Sequence, residues 1–146
     1  WRGKKIKMIK YKIISKYIKN LNFNIPTPKA FFLLSERIAD YKINLDIKSN
    51  QLKEKIIEVQ TSLTLNKIED DVEKINTTII LSTIIEIEGD ISQKKEIEEI
   101  ILIKVPTEIY SEIRQTFIFL FEKSGFKNIK IDENVDFRKL YNSRNN

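Results

Sequence analysis

Tyr41-Lys42-Ile43-Asn44-Leu45-Asp46-Ile47-Lys48 alternates without a fault, with Tyr41, Ile43, Leu45 and Ile47 on one side and Lys42, Asn44, Asp46 and Lys48 on the other. Successive side chains of a strand point to opposite faces, so this stretch reads as a strand with one buried and one wet face. The two-residue period recurs on both sides of it. Upstream, Tyr17, Leu21, Phe23 and Ile25 are apolar while Asn20, Asn22 and Asn24 face away, with Lys19 the exception on the apolar side. Pro26 and Pro28 end that strand, because proline cannot donate to a ladder. Downstream, Ile57, Val59, Thr61, Leu63 and Leu65 alternate with Glu58, Gln60, Ser62, Thr64 and Asn66. An acidic turn, Glu69-Asp70-Asp71, then leads into β-branched residues 77–88, ending at Gly89. There Ile79, Leu81, Ile85 and Ile87 share a face, yet Ile80 and Ile84 lie on the other, so this strand is expected to be covered on both sides for part of its length. Short polar connections favour an antiparallel meander over parallel crossovers.

The period then changes. Pro106 sits where a first helical turn tolerates it. Ile109, Ile113, Phe117, Leu120 and Phe121 follow at helical spacing, and Gly125 offers a stop. Tyr110, Ile118 and Phe119 lie off that stripe, so a helix over 107–123 is apolar around most of its circumference and needs cover on two sides. One sheet covers one side. A second subunit is the most economical cover for the other, so oligomerisation is expected, with Tyr110, Ile113, Phe117, Ile118 and Phe121 at the interface. A short last helix is expected from about Asp136 to Ser143, capped by Asp136 or Asn134. The expected fold is α+β: a four-stranded antiparallel sheet, a meander with a long crossover after the first strand, with a long helix and a short C-terminal helix on one face.

Composition narrows the chemistry. The chain has 146 residues, 41% hydrophobic and 32% charged, which suits one domain able to bury roughly 70% of its unfolded surface. Cysteine and histidine are both absent, which removes thiol and Ser-His-Asp nucleophiles, thiolate or imidazole zinc sites, haem and disulfides. No cofactor and no enzymatic activity are expected. Glu86, Glu88 and Asp90 recur at spacing two, as hard-cation ligands do, but solvated carboxylates near a strand end are the simpler reading; Glu96-Ile97-Glu98-Glu99 likewise reads as wet surface. The net charge of +5 is unevenly placed: residues 1–20 carry eight bases and no acid, whereas the remainder carries 18 bases against 21 acids. Residues 1–15 are expected to be a poorly ordered basic leader, 16–144 the domain and 145–146 a tail. The first residue is Trp1 and the only methionine is Met8, so translation from Met8 and a trimmed chain are both open; starting at Met8 lowers the net charge to about +1. Ile13-Ile14 is too short for a secretory signal core, and no apolar run approaches the roughly 18–20 residues that cross a bilayer, so a cytoplasmic location without membrane insertion is expected.

Three stretches resemble the SecB family of export chaperones. Residues 16–26, Lys16-Tyr17-Ile18-Lys19-Asn20-Leu21-Asn22-Phe23-Asn24-Ile25-Pro26, are similar to the family's opening strand, and Ile57-Glu58-Val59 is similar to its Tyr-Glu-Val. Val105-Pro106-Thr107-Glu108-Ile109-Tyr110 with Arg114, then Gly125-Phe126, Ile129, Ile131, Asp136-Phe137 and Leu140-Tyr141, resemble its C-terminal third in order and spacing. The resemblance implies an ATP-independent holdase, a homotetrameric dimer of dimers with the long helix sandwiched between sheets, that keeps unfolded precursors export-competent and passes them to a SecA-type motor. It also implies a groove for unfolded chains between the crossover residues Phe31, Phe32, Leu33 and Leu34 and the C-terminal residues Phe137, Leu140 and Tyr141. Apolar walls suit such a client, since burial is non-directional and contributes about 25 cal/mol per Å². The alternative is that these side chains simply pack the crossover onto the sheet.

Departures from the family pattern bear on partners. The acidic positions of motor docking match Asn20, Asn24 and Thr78, all uncharged, so hand-off to the motor is expected to be weakened. Ser111 and Lys127 stand where the family has proline, and Thr83 where it has glycine. The missing charges keep open a SecB-like chaperone dedicated to a toxin–antitoxin pair. A rival from another class is a basic nucleic-acid-binding protein, since residues 4–19 interleave lysines with Tyr11 and Tyr17; it is the weaker reading.

Overall fold

The alternating stretch at 41–48 becomes the outer edge of a sheet. The computed structural model describes residues 9–38, 41–66, 76–126 and 129–144. Its strands are β1 (Lys10–Asn24), β2 (Lys42–Gln51), β3 (Ile56–Asn66) and β4 (Asn76–Glu88), all antiparallel, in the order β1-β4-β3-β2. β2, β3 and β4 form the expected meander, and the chain after β1 crosses to the far edge. Strand β1 opens seven residues before Tyr17, so residues 10–15, grouped with the leader on sequence, are paired with β4. Residues 1–8 with Met8, the acidic turn Glu69-Asp70-Asp71 and Lys127 lie outside the described residues.

The register of β1 explains its broken alternation. Pairing with β4 shifts between Ile13 and Ser15 and again between Ile18 and Asn20. Each bulge carries one extra residue and flips the face of the residues after it. Tyr17 therefore sits opposite Ser82, on the face away from Leu21 and Phe23, which oppose Ile79 and Thr77. This corrects the reading of Tyr17, Leu21 and Phe23 as one apolar row. Lys19, the exception in that row, is the extra residue of the second bulge.

The crossover holds a helix that alternation did not predict, α1 (Pro28–Arg37). Thr27 caps it, its hydroxyl accepting the Ala30 N–H at 3.0 Å, and Pro28 takes a first-turn position. Ala30 and Leu34, one turn apart, are fully buried. Two of the apolar side chains in this crossover thus serve a helix face.

The long helix also begins earlier than expected. A continuous rod runs through α2 (Lys94–Glu99), a π-helical turn (Ile100–Lys104) and α3 (Val105–Lys123). Pro106 lies inside this rod, not in an opening turn. In an α-helix its ring meets the carbonyl four residues back, and the wider turn upstream relieves that clash. Gly125, with φ +94°, ends the rod as expected, and a Cβ there would meet the Phe31 ring at 3.6 Å. Last comes α4 (Phe137–Arg144), with the Asp136 carboxylate accepting the Lys139 N–H at 3.0 Å.

All helices pack on one face of the sheet. Ala30, Leu63, Leu65, Ile79, Leu81, Ile113, Phe117 and Phe121 form one core, extended toward Val105 by Val59, Ile85, Ile87 and Ile100. Phe121 meets Phe23, Phe126 and Phe117 at 5.1, 5.4 and 4.8 Å between ring centroids. Among the described residues no helix covers the opposite face, and Ile80 and Ile84 there are half-buried. The expectation that β4 is covered on both sides does not hold within one copy. Thr78 and Glu86, both half-buried, keep parts of that face wettable, while the buried Ser82 bonds Glu58 there.

The second side of α3 is covered largely by the chain's own C-terminal segment. Tyr110 donates its hydroxyl to the Asp132 carbonyl at 2.6 Å, and Arg114 Nε donates to the Ile131 carbonyl at 3.2 Å. Tyr110 and Phe137 meet edge to face at 6.0 Å. Tyr110 is buried under this segment, and Ile113, Phe117 and Phe121 are buried in the core, all within a single copy. Ile118 is half-buried and Phe119 is 56% exposed.

Candidate functional site: an apolar groove along the β2 edge

In the helix rod α3 lies over β3 and β4, the π turn reaches β2, and α4 packs on that π turn. The cover over β2 is incomplete. Leu45 and Ile47 of β2, Leu102 of the π turn, and Phe137, Leu140 and Tyr141 of α4 enclose an open cavity of about 330 Å³, with Asp46 and Ser143 completing the lining. A second cavity of about 240 Å³ adjoins it at Leu45 and runs past Ile43, Leu63, Tyr110 and Ile131 to Tyr41, with Lys130 and Asp132 making part of its wall polar. Together they form a groove that follows the β2 edge strand. The apolar lining of the larger cavity takes up apolar side chains without demanding one hydrogen-bonding pattern.

The expected groove residues divide into two places. Phe137 and Tyr141 are buried and Leu140 is 48% exposed, and all three line the larger cavity. Phe31, Phe32, Leu33 and Leu34 lie on α1 by the C-terminal end of α3, where Phe31 packs on Phe126 at 5.0 Å and Phe32 at 5.6 Å. Leu34 is fully buried, Phe31 and Leu33 are half-buried, and Phe32 is 64% exposed. Leu45, Ile47 and Leu102 were not singled out on sequence as groove residues. Alternation marked Leu45 and Ile47 as facing inward, but not that their cover is partial. For Leu102 the signal was Pro106, four residues on.

The uncovered sheet face has a different chemistry. Asn20, Asn24 and Thr78 share it, since Asn20 opposes Ile80, Asn24 opposes Asn76, and Thr78 opposes Asn22. Beside them Glu58 is only 4% exposed although no helix lies above it. Its Oε2 accepts from Ser82 Oγ at 2.7 Å, Lys19 Nζ at 2.9 Å and Tyr17 OH at 3.5 Å, and Oε1 from Gln60 Nε2 at 3.2 Å. The Lys19 ammonium, then the Ser82 hydroxyl, hold its carboxyl down at about 2.

The lysine and tyrosine row of β1 is largely engaged within the chain. Lys12 meets Glu86 at 3.1 Å, Lys16 meets Glu112, and Lys19 meets Glu58. Tyr11 donates to Glu108 at 2.7 Å, and burial followed by that carboxylate pushes its hydroxyl up. Such pairing weakens the basic stripe that a nucleic-acid surface needs. Glu99, expected on a wet surface, bonds Arg138 at 2.9 Å and ties α2 to α4. The Asp90 carboxylate caps the Ser92 N–H, which holds it below its usual range. Among the described residues no group of three or more acids is arranged to hold a metal, and no helix is long and apolar enough to cross a membrane.

Comparison with known proteins agrees with this architecture. The family model described as preprotein translocase subunit SecB matches residues 4–146. A relative from Pelagibacter ubique (strain HTCC1062), named as a putative protein-export protein SecB, is 35% identical over 136 residues, covering 93% of this chain and 97% of its own. A match over nearly the whole length, on an antiparallel sheet backed by a long helix and a short C-terminal one, places this chain in the SecB family.

Proposed function

We propose that the chain is an ATP-independent chaperone of protein export that holds unfolded precursors in the groove along β2. The observation that carries this reading is the groove's lining. Six apolar side chains enclose the larger cavity, and the smaller one extends it along an edge strand. A site built that way selects for exposed apolar chain rather than for one sequence, which is the property a holdase needs. No step of catalysis and no cofactor enter. Phe32, 64% exposed on α1, is proposed as a second and separate apolar contact for the client.

The proposed assembly is a homotetramer, with copies meeting through β1 and the outer side of α3. Ile14, Tyr17, Ile18 and Leu21 of the edge strand β1 are all more than 40% exposed, and Phe119 stands out from α3. An exposed apolar edge strand is a template for pairing with another chain. Docking on a SecA-type motor is proposed to be weak, because Asn20, Asn24 and Thr78 put no charge on the open face. The same lack of charge favours, as a second reading, clients outside export such as a toxin–antitoxin pair. The proposed location is the cytoplasm.

Leu140→Ser with Phe32→Ser tests the client reading, because both side chains are largely exposed and the core does not depend on them. The double variant is expected to lose suppression of client aggregation while light scattering still reports a mass near four subunits. Full suppression by that variant sinks the groove, and a monomeric wild type sinks the assembly.

A further inference from the structure

Pro106 is buried in the middle of a helical rod, where proline is normally excluded. In an α-helix its ring would strike the carbonyl of Leu102 and offer it no N–H. The rod avoids this by widening: the turn Ile100–Lys104 is π-helical, and the Val105 N–H bonds the Ile100 carbonyl, five residues back. A π turn takes in one extra residue, so whatever lies upstream is rotated by about 100° relative to a straight α-helix. The Thr107 hydroxyl donates to the Ile103 carbonyl at 2.5 Å and occupies one acceptor of the widened turn.

What the rotation places is the groove. Ile100 and Ile103 turn into the core, while Leu102 is left half-buried in the wall of the 330 Å³ cavity. Helix α4, which supplies Phe137, Leu140 and Tyr141 to the same cavity, packs on this π turn. The Arg138–Glu99 pair at 2.9 Å fixes α4 to the residue just before it. A straight rod would carry Leu102 and Glu99 round to other positions, and α4 would lose both its bed and its tether.

We propose that Pro106 is a positioning residue for the client groove: by holding the π turn open it points Leu102 into the cavity and seats α4 beside it. This rests on the groove being the client site. The role is distinct from stability, because alanine is better than proline in a helix interior. Pro106 is therefore retained for the shape it imposes, not for the rod itself.

The test uses the full chain, with fluorescein-labelled, reduced and carboxymethylated lactalbumin as a permanently unfolded probe, read by anisotropy, and with thermal melts in parallel. Leu102→Ala is expected to weaken binding about tenfold, the loss of the apolar area that a client buries on this half-exposed side chain. Pro106→Ala is expected to weaken it by a similar factor with little change in Tm, the gain in helix propensity offsetting the lost contacts of α4. The double variant is expected to bind no worse than either single one, because Leu102 has already left the cavity. Deleting the exposed Lys104 removes the extra residue directly and is expected to give the same loss without touching Pro106. Wild-type affinity in Pro106→Ala or in the Lys104 deletion, or single losses that multiply in the double variant, would overturn the proposal. A wild-type chain that ignores the probe overturns the client reading itself, whereas a binding wild type beside an equally binding Pro106→Ala overturns this inference alone.

Discussion

The two faces of the sheet are held by different physics. On the helix side, Val59, Leu63, Ile79 and Ile85 close against Ile113, Phe117 and Phe121, and dispersion and burial do the holding. Even the polar groups there are treated as volume: the hydroxyls of Thr61, Thr77 and Thr83 are buried without a hydrogen-bond partner. On the open side, one carboxylate, Glu58, gathers donors from three strands, with Lys19 and Tyr17 from β1, Gln60 from β3 and Ser82 from β4. Packing is tolerant of small sliding, whereas a carboxylate with four donors is not. The helix side thus supplies cohesion, and the open side sets where the twice-bulged β1 sits.

The sharpest break should come on the helix side. Phe117→Ala is expected to cost about 3–5 kcal/mol, because Phe117 is fully buried and stacks on Phe121, and a cavity there cannot collapse without moving β3 or β4. A denaturant midpoint unchanged from wild type would contradict that division of labour.

Glu58→Ala is expected to cost less, about 2–3 kcal/mol, since Lys19 can turn to water once its partner is gone. The loss should depend on pH. The folded carboxyl titrates at about 2 and the unfolded one at 4.5, so its contribution is fully present above 4.5 and is lost as pH falls from 4.5 toward 2. The stability gap between wild type and Glu58→Ala should therefore close across that window in an acid titration. A gap that stays constant would mean the carboxylate is not what holds β1.

The smallest effect has the opposite sign. Thr83→Val keeps the shape and removes a buried hydroxyl with no partner, and is expected to stabilise by about 1 kcal/mol in thermal melts. Destabilisation would show that the hydroxyl is satisfied after all and that the helix side is less indifferent to polarity than its packing suggests.

Strands and their apolar faces were readable in the residues because a two-residue period survives any change in neighbours. Lys19 shows the limit of that rule. It looked like a fault in a row, and it is the extra residue of a bulge that only pairing with β4 creates. The helix α1 was missed for a related reason: Phe31-Phe32-Leu33-Leu34 reads as a patch, and its helical phase shows only with Ala30 included and Thr27 as cap. Cover for α3 was assigned to a second subunit because the segment after Gly125 has no strong period. Yet Ile131, Asp132 and Phe137 lie along Tyr110 and Arg114, and Tyr110 is buried there. In the groove, Phe137, Leu140 and Tyr141 were named through the family resemblance. Leu45, Ile47 and Leu102 complete the cavity and could not be named, since a lining is defined by what fails to pack over it.

Local pattern alone sufficed for the sheet, the body of the long helix and its glycine stop, because each depends on residue type and spacing within a few neighbours. Tertiary structure decided which face is left open, where β1 slips its register, and that the uncovered strip beside β2 becomes a groove. Those outcomes depend on contacts between segments far apart in the chain, and no local period encodes them.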